Sequence, residues 1–148
     1  MTLQGSRAVY ESISGGPELL AWFGGVPSFH DAEVLRLGLE RSGPSTLVVH
    51  GWKMTDKVDE EGYFMLDRHA VVTFVFQEIT DLRLEGFTAQ NVIHGLRLRR
   101  VTLPLSTQDI GSIHRAGELI ELALDDCYGL SGLIWARSVS VSFQTGKP

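Results

Sequence analysis

A mainly β fold is predicted, an antiparallel sandwich or open barrel of about seven or eight strands with a short N-terminal helix. Three observations carry this. Apolar and polar residues alternate with period two through most of residues 35–143, the spacing of a strand with one buried face. The strand-like segments follow one another with no helical runs between them, which argues against a doubly wound α/β sheet and its nucleotide-binding switch point. Turn chemistry such as Ser42-Gly43-Pro44-Ser45 punctuates the segments. With 148 residues there is room for one domain, spanning residues 1–148.

The helix opens at Gly15-Gly16-Pro17, where proline suits a first turn, and runs through Glu18-Leu19-Leu20-Ala21-Trp22-Phe23 until Gly24-Gly25 stops it. It is mostly apolar, so it should lie as a plug against the sheet. Leu35, Leu37 and Leu39 then alternate with Arg36, Gly38 and Glu40, giving a strand and a hairpin turn. Residues 46–53 form the next strand, and the acidic stretch 56–61 with Gly62 reads as an exposed loop or hairpin tip. Residues 71–76 are apolar at nearly every position, as in a central strand covered on both sides. Further strands are expected over 81–85, 91–100 with a bulge at Gly95, and 118–126. In the last strand, Leu133, Trp135, Arg137, Val139, Val141 and Phe143 share one face and a run of serines wets the other.

Composition sets bounds on function. Hydrophobic residues make up 43% and charged residues 21%, near globular averages, so a packed core is expected and intrinsic disorder is not. A net charge of −5 disfavours a nucleic-acid binder that must neutralise phosphates. Cys127 is the single cysteine, so neither an intramolecular disulfide nor a cysteine-based zinc knuckle is available, and a cytoplasmic setting is expected. No apolar run approaches the roughly 18 residues of a membrane span, and no signal peptide is expected. The nucleophile motif Gly-x-Ser-x-Gly and the phosphate loop Gly-x-x-x-x-Gly-Lys-Ser/Thr are both missing. Asp125 and Asp126 beside Cys127 would raise a thiol pKa, so that cysteine reads as structural.

One polar constellation stands out, Ser28-Phe29-His30-Asp31-Ala32-Glu33, where the helix gives way to the first strand. His30, Asp31 and Glu33 are residue types that share acid/base work or hold a metal. In an extended strand, however, Asp31 and Glu33 share one face and His30 the other, and the competing reading has His30 and Asp31 pinning a corner through backbone hydrogen bonds. The histidines at 50, 69, 94 and 114 lack metal-ligand spacing, although His50 and His69 can meet across a hairpin pair. Arg97, Arg99 and Arg100 form the one basic run, either a solvated face or a stripe for an acidic partner. The three tryptophans read most simply as core.

Ser28-Phe29-His30-Asp31-Ala32-Glu33-Val34, with residues 81–87 and Gln90-Asn91-Val92-Ile93, resembles a family of small bacterial proteins of unknown activity, some members of which are classed as immunity proteins of polymorphic toxin systems. The resemblance spans roughly residues 22–99. It implies a cytoplasmic protein that binds and blocks a partner without a cofactor, and it singles out His30, Asp31, Glu33, Gln90 and Asn91. The expectation is therefore a non-enzymatic, immunity-like protein-binding module. It has no cofactor, metal, nucleic acid or membrane, and its contact residues are sought among Arg97, Arg99, Glu60 and Glu61. The alternative is a small metal-dependent or acid/base enzyme using His30, Asp31 and Glu33.

Overall fold

The computed structural model describes residues 3–103 and 117–148, and the side chains of these except at 3, 4, 54–56, 64–66 and 103. The elements are β1 (Leu3–Gln4), α1 (Ser6–Ser12), α2 (Gly16–Phe23), β2 (Glu33–Gly38), β3 (Ser45–Val58), β4 (Phe64–Glu85), β5 (Val92–Leu103), β6 (Gly117–Tyr128) and β7 (Ser131–Thr145). All pairings are antiparallel, in the order β1-β5-β2-β3-β4-β7-β6, and β6 also pairs with β5. The sheet therefore curls into a six-stranded ring with β1 appended. It closes fully at β5–β6, but at β2–β5 only through the pair Glu33 and Val92. That seam is where the sequence constellation lies.

The predicted helix is α2. Pro17 stands in its first turn, Gly24 ends it in the left-handed region at φ 75°, and Leu19, Leu20 and Phe23 are buried against the barrel. The short helix α1 was not expected. Its sequence, SRAVYES, has no side-chain cap, and only Val9 and Tyr10 are buried from within it, too brief a pattern to show periodicity. No helix among the described residues is long and apolar enough to cross a membrane.

Several faces differ from the expected alternation. In β2 the inward residues are Val34 and Leu37, while Leu35 is 40% exposed, because a bulge between Val34 and Arg36 shifts the strand by one; Leu39, 50% exposed, lies just past the strand's end. Residues 64–85 form one strand where two segments were expected. Val72, Phe74 and Phe76 are buried, but the outward Val71, Thr73 and Val75 stay half-buried, so this strand is not covered on both sides. In β7 the buried residues are Ile134 and Ala136, then Val139 and Val141; Trp135 and Arg137 lie on the opposite parity. The partner strand makes the same three-residue step from Phe76 to Ile79, with Glu78 in the left-handed region at φ 55°. Both strands turn the same corner and exchange faces there. Gly95 does sit in an irregular register of β5, as its sequence position predicts.

The β3–β4 hairpin reaches beyond the barrel. β2 pairs with β3 only as far as His50, and β7 pairs with β4 only as far as Ala70, so residues 51–69 form a ribbon without a third strand among the described residues. Strand β3 runs to Val58, which places Asp56 in the strand and narrows the expected acidic tip to residues 59–63. Asp59 organises that tip by accepting from the backbone N–H groups of Glu61 and Tyr63 at 2.9 and 3.0 Å.

Among the described residues, one buried side-chain polar atom lacks a hydrogen-bond partner, the Tyr10 hydroxyl. Tyr10 is fully buried, and burial pushes its pKa well above the ordinary phenol value. A buried unsatisfied hydroxyl costs roughly 1–3 kcal/mol. Tyr10→Phe is accordingly expected to raise stability by about 1 kcal/mol, read as an increased urea midpoint at unchanged slope. A lower midpoint would show that the hydroxyl has a stabilising partner.

Candidate functional site

The Ser28 to Glu33 stretch closes the seam. Facing the free edge of β5, it supplies backbone partners where β2 does not reach. Beyond the last β2 contact, where Val34 donates to Asn91 O at 2.8 Å, Ile93 donates to Ala32 O at 2.9 Å and Leu96 to Ser28 O at 3.3 Å. The His30 ring joins this ladder by donating from Nδ1 to His94 O at 3.1 Å, since a carbonyl only accepts. Further along, the Ser6 hydroxyl accepts from Leu98 N at 3.0 Å and donates to Leu98 O at 2.8 Å, before β1 takes over at Arg100. A row of otherwise unpaired edge groups is thereby satisfied without a strand.

The geometry of this corner is demanding. Phe29 and Asp31 both lie in the left-handed region, at φ 55° and 60°, and Ala32 N closes a turn on Phe29 O at 3.0 Å. Asp tolerates that conformation, while for Phe29 it costs roughly 1–2 kcal/mol, offset by complete burial of a large ring against Phe23 and Phe74. Gly51 makes room, because a Cβ there would lie 2.8 Å from Phe29 Cδ1.

The structure brings His30 and Asp31 together, with Nε2 to Oδ2 at 3.5 Å, but both side chains are about half exposed and such a pair contributes little to stability. Glu33 does not join them. It lies in β2 opposite His50. Among the described residues no three His, Cys, Asp or Glu side chains come together as a metal-holding group. Gln90 is exposed and is bonded through its backbone to Thr88 Oγ1. Asn91 is buried and ties two loops: its Oδ1 accepts from Thr88 N and Leu130 N at 2.9 and 3.0 Å, and its Nδ2 donates to Thr88 O at 2.9 Å.

The basic run is matched by acids on β6, a pairing the sequence reading missed. Arg97 grips Asp125 with two bonds at 3.2 and 3.0 Å, Arg99 holds both oxygens of Glu121, and Arg100 meets Glu118 at 2.7 Å. Glu121 is only 4% exposed and also accepts from Trp135 Nε1 at 3.0 Å, while Arg83 lies over the Trp135 ring. The hydrogen bond to Glu121 raises the Arg99 pKa further. Glu60 and Glu61, by contrast, stand exposed at the ribbon tip beside Val58 and Tyr63, which are 54% and 68% exposed. Cys127, expected as structural, is exposed near the end of β6.

A second cluster lies where the ribbon leaves the barrel. His50 on β3 and His69 on β4 do meet, Nε2 to Nδ1 at 3.1 Å with rings stacked at 5.3 Å, and Trp52 lies 5.0 and 5.9 Å from them. All three are half-buried, as are Trp22 and Trp135, so no tryptophan is fully in the core. His114 lies outside the described residues.

Burial lowers the His50 pKa, helped by His69 and Lys147 and partly opposed by Glu33. The unfolded chain then binds this proton more readily than the folded one. The stability contributed by neutral His50 is fully present above the ordinary imidazole value of 6.5 and declines as the pH falls through it to the folded-state value. His50→Gln is expected to flatten the fall in urea midpoint between about pH 7.5 and 5. An unchanged profile would assign the acid sensitivity elsewhere.

A cleft of about 450 Å³ between the β2–β3 turn and the far half of β4 is lined by residues such as Leu39, Arg41, Glu78 and Leu82, and takes in none of the sequence candidates. Compared with family models, curated proteins and solved structures, the chain matches none.

Proposed function

We propose that the chain is a non-enzymatic protein-binding module, immunity-like in its resemblance, whose contact element is the acidic tip of the β3–β4 ribbon. The observation that carries this reading is the exposure of Tyr63 and Val58 beside Glu60 and Glu61, on a ribbon that stands clear of the barrel. Large side chains anchor interfaces, and like charges around them steer an oppositely charged partner into place. Arg97 and Arg99 serve a cationic partner site less well, because each already holds a carboxylate. The acid/base alternative is weakened because Glu33 lies in β2 opposite His50 and does not join the His30–Asp31 pair.

The test is the double charge reversal Glu60→Lys with Glu61→Lys. It is expected to slow association with the partner by about tenfold or more at low salt and to flatten the salt dependence, with the urea midpoint nearly unchanged because exposed charges contribute little to folding. A photo-crosslinking residue at position 63 should capture that partner, and one at Ser142 should not. Wild-type association by the charge-reversed chain, with the effect appearing in Arg97→Glu instead, would transfer the contact to the β5 face. Turnover of a small molecule, lost in a folded Asp31→Asn variant, would overturn the binding reading in favour of the enzyme.

A further inference from the structure

The two imidazoles at the base of the ribbon present a chemistry that neither the seam nor the acidic tip uses. His50 Nε2 and His69 Nδ1 face one another 3.1 Å apart, both rings half-buried and so reachable from solvent. Two nitrogens held about 2.0–2.1 Å from one metal ion are about 2.8 Å apart at a right angle and about 3.4 Å apart at the tetrahedral angle. The observed separation falls between these limits. The two histidines sit on adjacent strands: His50 pairs with Val71, and His69 follows directly on the Gly51–Ala70 pair, at the register shift that precedes Lys53 and Asp67. Glu33, opposite His50 on β2, supplies negative charge nearby.

We propose that His50 and His69 form an open two-nitrogen site for a divalent transition-metal ion of the kind imidazole prefers, copper(II) and nickel(II) foremost, with water in the remaining positions. The hydrogen bond between the rings uses one N–H and one lone pair. For binding, the donor ring takes up its proton on its other nitrogen, through solvent exchange, and both facing nitrogens then turn lone pairs to the metal in place of the hydrogen bond. With two protein donors the site is exchangeable, and it leaves coordination positions free for a further ligand.

Trp52 makes the site observable, since its ring lies within 6 Å of both imidazole centroids. Nickel(II) and copper(II) chlorides titrated separately into the full chain in a non-coordinating buffer should quench fluorescence saturably, with about one equivalent bound by calorimetry. Trp52→Phe should lose most of the quenching but keep the heat. His69→Gln retains an amide able to hydrogen-bond His50, so it separates the metal site from the structural contact, and it should lose the saturable binding. His50→Gln should do the same, and His30→Ala, at the seam, should leave it intact. No saturable binding to wild type, or binding that survives both glutamine variants while circular dichroism shows them folded, would overturn the proposal, as would loss on His30→Ala.

Discussion

Gly15→Ala is expected to lose at least about 3 kcal/mol of stability, enough to leave a domain of ordinary stability largely unfolded at mild denaturant. Gly15 sits at φ 82°, where a Cβ is disfavoured by roughly 1–2 kcal/mol, and the added carbon would fall 1.7 Å from the carbonyl oxygen of Val141. Backbone is in the way, and it is held there, for Val141 N donates to Ser14 O at 2.9 Å. Relief requires α2 to back away from β7, which withdraws Leu19, Leu20 and Phe23 from the core at roughly 1.5–3 kcal/mol for each side chain fully re-exposed. Gly16→Ala meets a similar obstacle 1.7 Å away at Tyr10 O, where α1 and α2 touch. Gly43→Ala is the control, since nothing lies within 4 Å of its Cβ position and its φ is not in the left-handed range. Urea unfolding followed by far-ultraviolet circular dichroism measures all three, and a Gly15→Ala midpoint close to the Gly43→Ala value would show that the helix is not held against the sheet.

The helix start that these glycines mark was legible because proline and glycine constrain the backbone locally, whatever the rest of the chain does. The antiparallel β class was legible for a similar reason, since period two is a local property. Less could be read where two strands act together. The face exchange at Glu78 and Arg137 needs matching three-residue steps in segments far apart in sequence, and neither step is visible in its own alternation. The pairing of Arg97, Arg99 and Arg100 with Asp125, Glu121 and Glu118 depended on a register that no tight turn specifies, because residues 104–116 intervene. Opposite charges at comparable spacing on the two segments were the available signal. Of the candidate site, the corner reading holds for the His30 ring, which bonds the His94 carbonyl across the seam, a partner too far along the chain to be read from the sequence, whereas Asp31 meets His30 itself. That the corner stands in for a missing strand along β5 needed the topology.

Asn91→Leu is expected to lower stability by about 2–4 kcal/mol and to loosen the seam first. Leucine nearly matches asparagine in shape but offers nothing to the three backbone groups that the amide now serves. Leu130 N is the costly one. It is buried, and an unpaired buried donor costs roughly 1–3 kcal/mol, whereas the two Thr88 groups lie nearer the surface and can recover part of their loss from water. No rearrangement of the neighbouring turn readily fills the gap, because Gly129 at φ 87° already brings its backbone so close that a Cβ would fall 2.5 Å from Asn91 Oδ1. The main-chain oxygen of Asn91 accepts from Val34, and the next residue, Val92, makes the single β2–β5 pair with Glu33. Disorder at position 91 therefore spreads into the seam before it reaches β4 and β7, which pair along most of their length. Amide exchange should accelerate at Ile93 and Leu96 more than at Val72 and Phe74. Equal acceleration at all four would mean that the seam opens only with global unfolding, and a wild-type midpoint combined with lost partner binding would place Asn91 in the contact surface.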